Sequence, residues 1–203
     1  MTTSAFPNGT SLVSSALTPD SLATIIQAIV AQILGFDPVI NPNGAFSAVR
    51  VSWPVDGQPA WGIDEDVCFV RATQQDNAFS RSRDETFTPG TPSIPVAMGY
   101  TQTWDVHLAL YGPSCADHAR LILSAFSLDW VKDLLFASNL YPLPWPGRPV
   151  YAPELFQGQW WKRADLSLEM NEQVAETTTV QQAAFASVGI VTNTGLTDEI
   201  NVP

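Results

Sequence analysis

Charge is scarce in this chain, and positive charge is scarcest. Only 14% of the 203 residues are charged, and nine Lys and Arg stand against twenty Asp and Glu, a formal net charge of -11. An acidic surface of this kind repels phosphates, which argues against a direct grip on nucleic acid and against anionic membranes. A hydrophobic fraction of 45% excludes wholesale disorder. Cysteine is nearly absent. Cys68 and Cys115 stand apart with no C-x-x-C pattern, and are expected as reduced core residues. No long apolar run exists. The longest, Ala23 to Phe36, is broken by Gln27 and Gln32 and is too short to span a bilayer. No basic residue precedes Arg50, so no secretory signal is expected. There is no phosphate-binding glycine loop, no H-E-x-x-H and no nucleophile elbow. His107 and His118 are the only histidines, and no carboxylate is locked to them at ligand spacing. No catalytic residue, metal or cofactor is therefore expected.

What the chain does contain is apolar residues in two periods. Sixteen prolines and twelve glycines separate them into segments. The length suits one domain, read as residues 18–192 between a flexible arm at 1–17 and a tail at 193–203. Thr18-Pro19-Asp20 opens a helix as cap, first-turn proline and dipole-complementing acid. Leu22, Ile25, Ile26, Ile29, Val30, Ile33 and Leu34 form its stripe, and Gly35 and Pro38 end it. Short strands are expected at Ala48–Trp53 and Asp66–Thr73. Residues 74–99 read as a long polar loop. Gln102–Tyr111 is a clear strand, since Trp104, Val106, Leu108 and Leu110 alternate with polar neighbours. Gly112-Pro113-Ser114 leads straight into a helix, and Ser127 is expected to cap a second one reaching Asn139. Five prolines between Leu140 and Pro153 imply an extended connection. A long strand is then expected from Trp160 to Glu176, with Ala164, Leu166, Leu168, Met170 and Val174 on one face. Val180–Val191 reads as its hairpin partner or an independent arm. The sum is an α+β fold, an antiparallel sheet with helices packed on one face and a long projecting strand or hairpin.

The candidate contact residues follow from this layout. A strand of this length exceeds the usual span and needs a cover for its edge. Its outer face carries Arg163, Asp165, Ser167, Glu169 and Asn171. Trp160 and Trp161 are adjacent, so they point to opposite faces: one can be core while the other must face solvent, a helix or a partner. Trp161, Arg163, Asp165 and Glu169 are taken as candidate interface residues, with Arg81 and Arg83 from the polar loop. The run Asp64-Glu65-Asp66 is either a solvated face or a cation contact. A ligand-binding or hydrolase role for His107 with Asp105 stays open as a distant alternative. It would need a concave pocket and a perturbed titratable group.

The segment from Tyr100 to Met170 resembles the phage neck or tail terminator family. The carriers are the strand TWDVHLALYG, the helix PSCADHARLILSAF, a short helix ending at Leu140-Tyr141, a proline-containing link, and the strand WWKRADLSLEM. The resemblance implies a non-enzymatic virion protein, usually a homo-oligomeric hexameric ring. Such a ring caps the tail tube protein and meets a head-side connector or stopper protein, with a tail sheath as a further neighbour. DNA passes through its lumen without specific binding, and assembly takes place in the bacterial host cytoplasm. A tail tube or head-completion protein is the alternative within the virion. The N-terminal arm and the proline-rich loop before Tyr100 depart from the family's pattern.

Overall fold

The structure is a computed structural model. It describes residues 1–5, 11–36, 48–52, 61–89, 93–144, 147–156, 158–181, 186–191 and 197–202. In chain order the elements are β1 (Thr2–Ala5), β2 (Ser11–Ser14), α1 (Pro19–Ile33), β3 (Val49–Val51), β4 (Val67–Gln75), β5 (Asp84–Phe87) and β6 (Ser93–Tyr111). They continue with α2 (Cys115–Ala125), α3 (Asp129–Phe136), β7 (Leu140–Pro142), β8 (Val150–Tyr151), β9 (Glu154–Phe156), β10 (Gln159–Trp161), β11 (Arg163–Gln181), β12 (Ala186–Val191) and β13 (Thr197–Val202). The fold is mixed α+β, mostly strands, with three α-helices among the described residues. It divides into two compact units. The larger comprises Ala16–Ser82 and Tyr100–Val174, and the smaller Met1–Ser15, Arg83–Gly99 and Ala175–Pro203.

The larger unit holds the core. Helix α1 starts where its sequence says it should: the Thr18 side chain accepts from Ser21 N–H at 3.1 Å, and Pro19 takes the first helical position. It stops at Gly35, whose φ of +74° is a conformation that glycine adopts without steric penalty. Leu22, Ile26, Ile29 and Val30 are buried, each burial stabilising by about 1.5–3 kcal/mol. They pack with Val70, Trp104, Val106, Leu108 and Leu110 of the sheet, with Ala119 and Ile122 of α2, and with Val131 and Leu135 of α3. Leu166, Leu168 and Met170 of β11 complete the same core. Strand order here is β11-β6-β4-β3. Strands β4 and β6 are antiparallel with Val70 opposite Leu108, and β3 runs parallel to β4 with Val49 opposite Cys68. Strands β7 and β8 border β11 at Glu172–Met170 and at Asp165–Ala164. The expected extended proline-rich connection thus includes two short paired pieces.

Three expectations need correction. The segment 74–99 is not one long loop. Strand β4 runs to Gln75, and β5 pairs with the start of β6, Asp84 opposite Gly99 and Phe87 opposite Val96. Every side chain of β5 is exposed, so backbone hydrogen bonds form this ladder without any apolar alternation to announce it. The long strand does not begin at Trp160. Trp160 and Trp161 belong to β10, a hairpin arm on β9, and β11 begins after Lys162. Ser127 does not cap α3. Leu128 occupies the cap in extended conformation, with no side-chain capping bond, and the helix ends at Phe136. Trp53 and Pro38 lie outside the described residues.

In the smaller unit the chain's first residues form a β1–β2 hairpin, Thr2 opposite Ser14, and β2 pairs with β11 at Glu176 and Thr177. Strand β12 pairs with β13 from Ala186–Val202 to Val191–Thr197, not with β11. Val96, 5% exposed, is the buried side chain here among those described.

Candidate functional site

The two arms of the β9–β10 hairpin place Trp161 opposite Glu154 and Trp160 opposite Leu155. Alternation then sends the two pairs to opposite sides. Trp160 and Leu155 are exposed, at 67% and 58%. Trp161 turns into a cluster of rings. Its centroid lies 5.9 Å from Trp61 and 6.0 Å from Phe156, and Trp61 in turn lies 5.0 Å from Phe69 and 5.8 Å from Tyr111. The buried Arg50 guanidinium sits 5.7 Å above the Trp61 ring. Burial pulls its pKa down, and the nearby Glu65 partly restores it.

Beside the rings is a closed set of polar bonds. Arg163 donates from Nη1 to Glu154 at 2.9 Å and from Nε to Asp165 at 2.8 Å. Tyr111 donates its hydroxyl to the same Glu154 oxygen at 2.8 Å, and Arg163 stacks 5.5 Å from the Tyr111 ring. Burial, then the bond to Glu154, pushes the Tyr111 phenol up to about 12. The bonds from Tyr111 and Arg163 hold Glu154 below the usual carboxylate range. Burial alone would lower the Arg163 pKa, but its two carboxylate partners outweigh that and raise it. Trp161, Arg163 and Asp165 from the sequence reading are therefore brought together. Glu154, Tyr111, Trp61 and Phe156 were not foreseen. Three-residue strands have no period to read, and only the run of aromatics around residue 160 hinted at the cluster.

A cavity of about 130 Å³ opens between Trp61, Tyr111, Glu154, Phe156 and Trp161. The indole N–H groups of Trp61 and Trp161 are both inaccessible and have no hydrogen-bond acceptor among the described residues.

The remaining candidates are dispersed. Glu169 is exposed beside a second cavity of about 300 Å³ bordered by Lys132, Leu143 and Pro144. Arg81 pairs with Asp76 at 2.6 Å, an exposed contact that lowers the Asp76 pKa through hydrogen bonding. Arg83 is exposed. Asp105 lies opposite Thr73, while His107 reaches Ser167 at 3.2 Å and Asp165 at 3.6 Å. That trio has the composition of a hydrolytic triad, yet its residues line none of the cavities described here. In the acidic run, Asp66 accepts from Ser114 N–H at 2.8 Å and so anchors the start of α2. Gly112 makes room for this contact: a Cβ there would lie 2.5 Å from the Asp66 carboxylate, and its φ is +109°. Burial pushes the Cys68 thiol up to about 12 and also raises Cys115, so both are poor nucleophiles. Among the described residues no group of three His, Cys, Asp or Glu is placed to hold a metal ion. No helix among them is long and apolar enough to cross a membrane.

The family model for the phage neck terminator protein matches residues 20–195. The chain belongs to that family. Membership gives it a structural role in the phage neck or tail, and a place in the virion among other tail and head proteins. No curated protein matches the sequence. The family match covers the hairpin β9–β10, the cluster around Arg163 and all three helices.

One further residue matters to how this family member holds together. Glu172 occupies the apolar face of β11 and is 1% exposed. Its two oxygens accept from Leu17 N–H at 2.7 Å and from the Trp104 indole N–H at 2.8 Å. The carboxylate thus fastens the approach to α1 onto the sheet. The alternation Ala164, Leu166, Leu168, Met170, Val174 skips one beat, and that beat is Glu172. The signal was present in the spacing.

Proposed function

We propose that this chain is the subunit of a homo-oligomeric ring, hexameric as is usual for terminators, that caps the finished tail tube and joins it to the head-side connector or stopper. Residues 18–192 act as the terminator domain. In a contractile tail the sheath is a further neighbour. The role is structural and not enzymatic, and assembly takes place in the host cytoplasm. The observation that carries this reading is the family match across residues 20–195.

Exposed apolar side chains support it. Val150, Leu155, Phe156 and Trp160 are all more than half exposed within one short stretch of chain, a feature expected of a protein–protein contact. Trp161, Arg163, Asp165, Glu169, Arg81 and Arg83 are the interface candidates. The net charge of -11 suits a channel through which DNA passes without sticking, since a basic lining would bind phosphates. Asp165, Glu169 and the run Asp64–Asp66 are the candidates for that lining.

Native mass spectrometry of the purified chain, paired with a whole-particle reconstruction, tests the proposal. The expected result is a closed ring at the head-proximal end of the tail tube. A chain that stays monomeric at every concentration and in its particle overturns it. A lumen lined mainly by Arg and Lys overturns the channel assignment alone.

A further inference from the structure

The smaller unit is a sheet with two open ends. Its strands follow the order β1-β2-β11-β6-β5. Among the described residues no strand pairs with the outer edge of β1 or of β5, and β12 and β13 form a sheet of their own. Every side chain of β1 and β5 is exposed. Alternation in an antiparallel ladder tells which backbone groups face outward. Thr88 N–H donates to the Pro95 carbonyl, so Thr86 also faces β6, while Glu85 and Phe87 face away. Ser15 N–H donates to the Ala175 carbonyl, so Val13 faces β11, while Leu12 and Ser14 face β1. Their partners in β1 are Ser4 and Thr2, which leaves Thr3 and Ala5 facing away. Each end of the sheet therefore offers N–H and C=O groups from residues spaced i, i+2.

Natural proteins blunt such edges with lysine, proline or a bulge. Strand β1, TTSA, has none of these. Strand β5, DETF, carries Asp84 and Glu85, which repel a second β5 but not the uncharged β1. We infer that the β5 edge of one copy pairs with the β1 edge of the next, so that the sheet runs on from subunit to subunit. Strands β1, β2 and β11 are antiparallel in turn, as are β6 and β5. Thr103 meets Asn171 and His107 meets Ser167, so β11 and β6 are antiparallel as well. Strands β1 and β5 therefore run the same way. A rotation about an axis along the strands keeps that direction, and the new pair is parallel. Thr3 then lies opposite Thr86. Its N–H donates to the Glu85 carbonyl, and its own carbonyl accepts from Phe87 N–H. This register sets threonine against threonine, a favourable cross-strand pair. The contact joins unlike edges, head to tail, the kind that closes into a ring when the rotation allows. The inference rests on the ring reading and names its contact.

The test has two arms, both on the full-length chain. First, the double variant Thr3→Cys with Thr86→Cys is oxidised and run on a denaturing gel without reductant. Within one chain the two positions are four strand spacings apart, about 19 Å, beyond the reach of a disulfide. Cys68 and Cys115 are buried. The expected result is a ladder of covalent multimers that ends at the ring, while each single variant stays monomeric. Second, Thr3→Pro deletes an outward N–H and no bond to β2. It is expected to keep the near-UV dichroism of the wild type and to form rings only at about tenfold higher concentration. A double variant that forms rings but gives no ladder overturns the inference and leaves the ring reading standing. So does a Thr3→Pro ring as stable as the wild type. Covalent dimers from either single variant overturn it too, since like edges would then be pairing. A wild-type chain that forms no ring overturns the ring reading itself, and this contact with it.

Discussion

Trp104 and Trp161 sit in the same unit, both on strands, both among apolar neighbours, and they use their indoles in opposite ways. Trp104 is 1% exposed and donates to Glu172, which also takes the Leu17 N–H. Every polar atom of that small network has a partner within the chain. Trp161 packs against Trp61 and Phe156 with its N–H unmatched among the described residues, beside a cavity. The first arrangement is closed and needs nothing from outside, as a core requires. The second leaves a buried donor without an acceptor among the described residues, at a cost the first does not carry. The two patterns separate a polar network matched inside the chain from a packed aromatic cluster that carries an unmatched donor.

The largest expected effect lies in the closed region. Leu168 is 2% exposed on the core face of β11. Leu168→Lys forces an unpaired ammonium among Leu166, Met170 and the helices. The protomer should fail to fold, read as loss of near-UV dichroism. Glu169→Lys, one residue along on the exposed face, should leave the fold intact. If both variants fold alike, the assignment of the two faces is wrong.

That contrast was legible in sequence, because period two in Ala164 to Met170 fixes which residue is inside. The same holds for α1, where cap, proline and apolar stripe all agree. Elements with short or wholly exposed strands were not legible. In β5 no side chain is buried, and in β9 and β10 three residues cannot display a period. The contacts of Trp61 with Trp161 join residues a hundred positions apart, and no local pattern encodes such a meeting. Trp161, Arg163 and Asp165 were singled out for lying at the head of a long strand. Their partners Glu154 and Tyr111 come from a hairpin and a strand end that local pattern did not connect to them.

The next effect would turn the closed network into an open one. Glu172→Ala leaves the Trp104 indole and the Leu17 N–H buried without acceptors, at about 1–3 kcal/mol for each donor. Denaturant titration should show the sum as a lower midpoint with an unchanged slope. Glu172→Gln retains one acceptor oxygen and should lose roughly half as much. An alanine variant as stable as the wild type would mean that water replaces the carboxylate, and the two tryptophans would then differ less than the structure indicates.

A smaller effect belongs to the aromatic cluster. The Tyr111 phenol is held up at about 12 against an ordinary value of 10.0. A raised folded-state pKa means that the native protein keeps this proton longer than the unfolded chain does. The contribution is therefore complete below pH 10, and it is lost as pH rises from there through about 12. Phenolate absorbance should show one of the four tyrosines titrating near 12 in the folded protein. Removing its acceptor with Glu154→Ala should bring that midpoint down without restoring 10.0, because burial is the larger cause. An unchanged midpoint would break the link between Tyr111 and the carboxylate.

The smallest expected effect is the one that tests the comparison most directly. Trp161→Phe removes an N–H that has no acceptor among the described residues and leaves an aromatic ring in its place. Two consequences oppose each other. The smaller ring gives up packing against Trp61 and Phe156, which costs stability. Deleting a buried unmatched donor removes a desolvation penalty of about 1–3 kcal/mol. The net change in the free protomer should therefore be small, on the order of 1 kcal/mol or less in either direction. Trp104→Phe loses comparable packing and also strips Glu172 of a donor, so both terms point the same way and the loss should be clearly larger. Measured side by side in urea, the two variants give the sign of the indole contribution at each site. Equal losses would mean that the Trp161 N–H already has an acceptor in solution, and its cavity would then be as complete as the core beneath Trp104.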